Sequence, residues 1–306
     1  MTIIVALLAY AGTLAVLAPR LLAGPWLRRS PRLALALWHS SAISVLLATI
    51  LSTVACFADE GGVAHWIPGL TGHHGLSGLL LAAAPIVVPA VLALRLGVVG
   101  RRLSHNHRDG RRRHLELVRL LGRYDDELGA TVIPVDVPAA YCVPGTDQIV
   151  ITAGALAVLD DHELRAVVAH EQAHLTGRHH LLVGWAEILR GAFGALPLFA
   201  HLGRATADLV ELVADDRTVR RTSAAGLASA IAALSCGPAP AHGLAASGGS
   251  VLARVERLLA PPAPLPIVPR IGGIGTAVTL LAVPVLLVLA PATVAAGLVE
   301  CPHPFS

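Results

Sequence analysis

Four stretches of this chain are long and apolar enough to cross a lipid bilayer, and that limits its fold more than any other feature. A spanning helix needs roughly 20 mostly apolar residues. Segments 2–19, 33–57, 76–99 and 271–299 meet that requirement. Hydrocarbon offers no partner to a backbone N–H or C=O, so each is expected as a helix. The mean hydropathy of +0.68 and a charged fraction of 14% agree, since soluble domains carry about a quarter charged residues. The first stretch has neither a basic leader nor a clear small-residue cleavage site, so it reads as an uncleaved span.

Arginine placement gives the direction of insertion, because basic residues collect on the cytoplasmic side. Arg20, Arg28, Arg29 and Arg32 lie between the first two stretches, and none lies between the second and third. Arg101, Arg102, Arg108, Arg111, Arg112 and Arg113 follow the third, and Arg270 precedes the fourth. The expected topology is multi-pass in the cell membrane with both termini outside. Residues 1–99 hold three spans, 100–269 form a cytoplasmic unit, and 270–306 hold the last span and a short external tail. The arginine run at 101–113 is expected on the membrane surface, making the lipid bilayer a partner. No basic run is interleaved with aromatic residues, so direct nucleic-acid contact is not expected.

Cys56, Cys142, Cys236 and Cys301 form no CxxC pair, which argues against a thiolate metal site. On the expected topology Cys56 and Cys301 share the oxidising face, where a disulfide and two free thiols both stay open. Cys142 and Cys236 fall on the reducing side and stay thiols.

Within the cytoplasmic unit, residues 112–128 read as a helix with Leu115, Leu117, Val118, Leu120 and Leu121 on its apolar face. Segments 131–138, 140–144 and 148–154 are β-branched and punctuated by Pro and Gly, and GTDQ suits the turn of a hairpin. An edge strand there could receive a peptide as an added strand, or be purely structural. Asp160, with Glu163 three positions on, opens a helix that runs to Gly177.

That helix carries His170-Glu171-Gln172-Ala173-His174, an HExxH string. Residues four apart stack on one helical face, so two imidazoles can converge on one ion, with Glu171 beside them as a base for water. A zinc ion needs a third protein ligand and one open position. HEQAHLTGRHH also offers His180 at metzincin spacing, but that class needs a methionine turn and the only methionine is Met1. His180 then reads as a surface or supporting residue. The other candidate is Glu211, on an amphipathic helix over 207–221. Asp215, one turn on, could fix a ligand imidazole's tautomer, with Asp216 as its rival and a solvated acidic face as the alternative.

Residues 181–203 are apolar apart from Glu187 and Arg190. A single crossing would put Glu211 on the opposite side of the membrane from His170. The segment therefore lies flat, re-enters or packs as a buried helix, and a half-embedded helix is the reading adopted.

HExxH followed by ExxAD in a membrane protein resembles the gluzincins of the HtpX and CAAX-prenyl-protease type, and more closely the BlaR/MecR-type membrane metallopeptidases. The resemblance rests on AYCVPGTDQIVITAGALAVLDDHELRAVVAHEQAHLTGRHHLL, ELVADD and RVERLLAPP, over residues 100–260. It implies a mainly α membrane protein with four transmembrane helices and a small α+β gluzincin-like cytoplasmic peptidase domain. It further implies one zinc ion per chain on His170, His174 and Glu211, catalysis by Glu171, and support from Asp215. The implied activity is that of a zinc metalloendopeptidase cleaving a protein or peptide substrate, such as a winged-helix repressor, in signal transduction. An HtpX-like quality-control protease and a non-catalytic receptor or scaffold are the alternatives.

Only ECPHPFS follows the last expected span, where the antibiotic-sensing receptors carry a penicillin-binding domain. Any signal is thus expected through the 58–75 loop or another protein. His65, His73 and His74 in that loop read as scattered solvated residues. Arg217 and Arg220 are candidate oxyanion stabilisers, with a solvated helix face as the default. Residues 237–249 read as a flexible loop and 261–269 as a stiff linker.

Overall fold

The computed structural model describes residues 2–58, 75–235 and 248–299. The 58–75 loop, the loop from 237, the C-terminal tail and the proposed Cys56–Cys301 pair fall largely or wholly outside the described residues and side chains. Helices α1 (Thr2–Leu21) and α2 (Pro31–Ala58) pack together, and α10 (Ile267–Val299) packs on both. By length and composition these are the three candidate spans among the described residues, over Ile3–Leu21, Pro31–Ala55 and Ile267–Leu289. The expected span at 76–99 forms part of α3 (Gly75–Leu121), whose side chains are described only from residue 86.

Proline shapes the contact among α1, α2 and α10. Pro284 has no N–H to give the carbonyl of Leu280, four residues back. The Ser44 hydroxyl donates to that carbonyl at 2.5 Å and the Tyr10 hydroxyl at 3.1 Å. An acceptor freed by sequence is thus satisfied by two other helices, the condition for a proline inside an apolar span.

Gly122 ends α3, and a four-stranded sheet follows in the order β1-β2-β4-β3. Its strands are β1 (Arg123–Asp125), β2 (Ala130–Ile133), β3 (Ala140–Cys142) and β4 (Ile149–Thr152). β4 is wholly buried between parallel β2 and antiparallel β3. The expected β3–β4 hairpin forms, and β3 is an edge strand. The expected helix over 112–128 is too long by seven residues. It stops at Leu121, residues 123–125 pair with β2, and Leu117, Leu120 and Leu121 stay more than half exposed. Only Val118 of the proposed apolar face is fully buried.

After α4 (Ala153–Val158), Asp160 caps α5 (Asp161–Gly177). Its carboxylate accepts from the N–H of His162 and Glu163, and Glu163 accepts in return from the Asp160 N–H. Arg178 ends the helix at φ 49°, the only positive-φ residue other than glycine among those described.

The 181–203 segment is not one helix. α6 (His179–Phe193) turns at Gly194–Leu196 into α7 (Pro197–Thr218), and the two helices pack on each other. Glu211 of α7 thereby comes alongside His170 of α5. Leu189, Phe193, Leu198, Phe199 and Leu202 are buried in one cluster with Leu7, Leu33, Leu37 and Trp38 of α1 and α2. Glu187 and Arg190 pair with each other at 2.6 Å. The last elements before α10 are α8 (Ala224–Ser235) and α9 (Gly248–Leu259). Leu258 of α9 packs on Ala166, Leu227, Ala228 and Ile231.

Candidate metal centre

Two helices build the site. One turn of α5 stacks His170 over His174, and α7 brings Glu211 against both. The two imidazole Nε2 atoms are 3.1 Å apart. Glu211 offers Oε2 to His170 and Oε1 to His174, each at 3.4 Å. These residues form the one His/Cys/Asp/Glu group among the described residues placed to hold a metal ion, and His180 is not part of it. Ligand bonds of about 2.0–2.1 Å in a tetrahedron put donors about 3.3–3.4 Å apart. The observed separations are close to these, with Oε2 the Glu211 oxygen nearest His170 and Oε1 that nearest His174.

Surrounding groups hold the ligands in place. Asp215 is 1% exposed, and its Oδ1 lies 3.2 Å from His170 Nδ1. That nitrogen nevertheless has no aligned hydrogen bond, the only such buried side-chain atom among those described. With Nε2 turned to a metal ion, Nδ1 would carry the proton, and Asp215 is the carboxylate placed to accept it. On the other imidazole, Nδ1 of His174 lies 3.0 Å from Nδ1 of His179. A tautomer with Nε2 free for metal has His174 Nδ1–H donating there. His179, not His180, therefore supports the second ligand. Gly177 leaves room for this ring, since an added Cβ there would stand 2.3 Å from His179 Nε2.

Glu171 is positioned by the sheet. The Cys142 N–H, on β3, donates to Glu171 Oε2 at 2.8 Å, leaving the other oxygen for water. Burial pushes the Glu171 carboxyl up. Burial also pushes the Cys142 thiol up to about 12, with the Glu171 charge adding to it.

For His170, burial alone would favour the neutral ring, but contact with Asp215 and Glu211 prevails and raises its pKa to about 9. For His174 burial outweighs the Glu211 charge, and the nearby His170, His179 and Arg254 add to it, so the ring is pushed down to about 4. Burial would raise Glu211, yet His170, Arg254 and His174 together hold it down to about 2.

Sequence reasoning missed Arg254, on α9. Its guanidinium grips both Asp215 oxygens, at 2.9 and 2.7 Å, and reaches Glu211 Oε2 at 2.8 Å. The RVERLL segment carried it, but nothing in the spacing tied α9 to α7. Arg217 and Arg220 are not the guanidinium on these carboxylates. Asp216, the rival of Asp215, pairs with Arg257 instead, at 2.6 Å.

Residues 104–208 match the model of Peptidase family M48. Relatives include the Protease HtpX homolog of Aquifex aeolicus (strain VF5), 37% identical over 73 residues, 23% of this chain and 24% of the relative. The Protease HtpX homologs of Salinibacter ruber (39% over 72 residues, 22% and 26%) and Campylobacter concisus (33% over 75 residues, 24% and 26%) are similar in extent. The chain spans about a quarter of the length of these curated relatives. No solved structure matches it. The similarities and the apolar helices support a membrane metallopeptidase. The family match ends before Glu211, so the third ligand is found by geometry.

Proposed function

We propose that the chain is a zinc-dependent endopeptidase that hydrolyses peptide bonds at the cytoplasmic membrane face. The observation that carries this reading is the His170–His174–Glu211 triangle with the half-buried Glu171 beside it. When bound, zinc would polarise a scissile carbonyl and lower the pKa of the attacking water. His170, His174 and Glu211 would hold it. Glu171, fixed through Oε2 by the Cys142 N–H, accepts the proton of the attacking water on its free oxygen and delivers it to the leaving amine. A carboxyl raised by burial is matched to both roles. The β3 edge beside Glu171 suits an extended peptide added as a further strand.

For the substrate, likeness to proteases named HtpX favours membrane proteins under turnover. Regulated cleavage of a winged-helix repressor remains the second reading, supported by the resemblance to BlaR/MecR-type peptidases. Glu171→Gln should retain zinc and lose about 10²–10⁴-fold in peptide hydrolysis. Full hydrolysis by that variant would sink the enzyme and leave a metal-binding receptor or scaffold. Comparing peptides in cells carrying wild-type and Glu171→Gln protein would separate repressor fragments from membrane-protein fragments.

A further inference from the structure

We propose that Arg254 is a positioning residue for the metal centre, fixing Glu211 against both imidazoles and Asp215 beside His170. The inference rests on the metallopeptidase reading and adds to its site a residue from a fourth helix, α9.

The contacts divide the work. Nε and Nη2 take the two oxygens of Asp215, at 2.9 and 2.7 Å, and Nη1 takes Glu211 Oε2 at 2.8 Å. One planar fork thus spans two carboxylates one helical turn apart on α7. Held by Oε2, Glu211 turns Oε1 to His174 at 3.4 Å. Held on both oxygens, Asp215 keeps Oδ1 beside His170 Nδ1 at 3.2 Å. Arg254 touches the ligand shell itself as well, with Nη2 3.4 Å from His170 Nε2.

Charge gives an independent reason. Glu171, Glu211 and Asp215 bring three carboxylates to one site, Glu211 35% exposed and Asp215 only 1%, and a dication offsets only two of them. A buried charge left without a partner is costly. The guanidinium, 15% exposed, supplies the third positive charge where Asp215, 1% exposed, has almost no water. A lysine could match the charge but not the fork.

Arg257, one turn further along α9, is the natural control. It pairs with Asp216 at 2.6 Å and donates to the Arg28 carbonyl at 3.2 Å. It therefore anchors the same helix to α7 by the same chemistry, without contacting a residue of the site.

The test uses the full chain in detergent, with zinc affinity measured by chelator competition and thermal melting recorded on the metal-free proteins. Arg254→Met and Arg254→Lys should each weaken zinc binding about 10–100-fold, the usual effect of losing a group that orients metal ligands. Arg257→Met should lower the melting temperature and leave zinc affinity at the wild-type value. Wild-type affinity, or tighter binding, in Arg254→Met would overturn the proposal. If that variant does not fold, full affinity in Arg254→Lys would overturn it equally. Absence of zinc binding by the wild type would be a different failure, of the metallopeptidase reading itself.

Discussion

His170 and His174 share a helical face, yet their neighbours push their protonation in opposite directions. With its folded pKa raised to about 9 from 6.5, His170 adds stability that is complete below pH 6.5 and lost as pH rises through 9. His174, lowered to about 4, adds stability present above pH 6.5 and lost as pH falls through 4. Glu211, lowered to about 2 from 4.5, reinforces the loss on the acid side. The metal-free protein should therefore melt highest near pH 6.5. Zinc must displace the His170 proton, so the stabilisation by zinc should grow between pH 6.5 and 9. Melting curves with and without zinc across pH 4–9 check both trends, and a pH-independent zinc effect would contradict the assignment. The HExxH pair was legible from spacing alone. His179 and Arg254 were not, because a residue that supports a ligand is defined by approach in space and leaves no periodic trace.

At the scale of elements, hydrogen bonding explains why the helices sit where they do. The Leu280 carbonyl is freed by Pro284 and retained by Ser44 and Tyr10. Ser44→Ala together with Tyr10→Phe should cost about 1–2 kcal/mol, in the range of interhelical hydrogen bonds in membranes. Restoring an amide with Pro284→Ala should shrink that cost, since residue 284 can then bond Leu280 itself. Denaturation of the four proteins in one detergent measures the difference, and equal costs in both backgrounds would refute the proline argument. The Asp160 cap, the β3–β4 hairpin and the Gly177 stop were all readable, because each is signalled by residues within a few positions. The end of α3 was misread. Residues 123–128, RYDDEL, carry no local strand signal, and only pairing with β2 makes 123–125 a strand.

On the scale of the whole molecule, the α6–α7 hairpin joins the two halves of the protein. Its apolar faces are buried with α1 and α2, and its far end delivers Glu211 to α5. The arginine distribution predicts that the 58–75 loop faces outward and the loop from 237 inward. A membrane-impermeant maleimide should then label a single cysteine placed in the first loop of intact cells and miss one in the second; the reverse pattern would invert the topology. The sequence by itself determined the apolar helices and the HExxH helix with its cap, and offered Glu211 and Asp215 as candidates, since hydropathy, capping and i,i+4 spacing are local properties. Only the tertiary structure decided that 181–203 turns back at Gly194, that His179 and Arg254 close around the ligands, and that β3 fixes Glu171. Those contacts join helices and strands far apart in the chain, and packing, not local pattern, selects them.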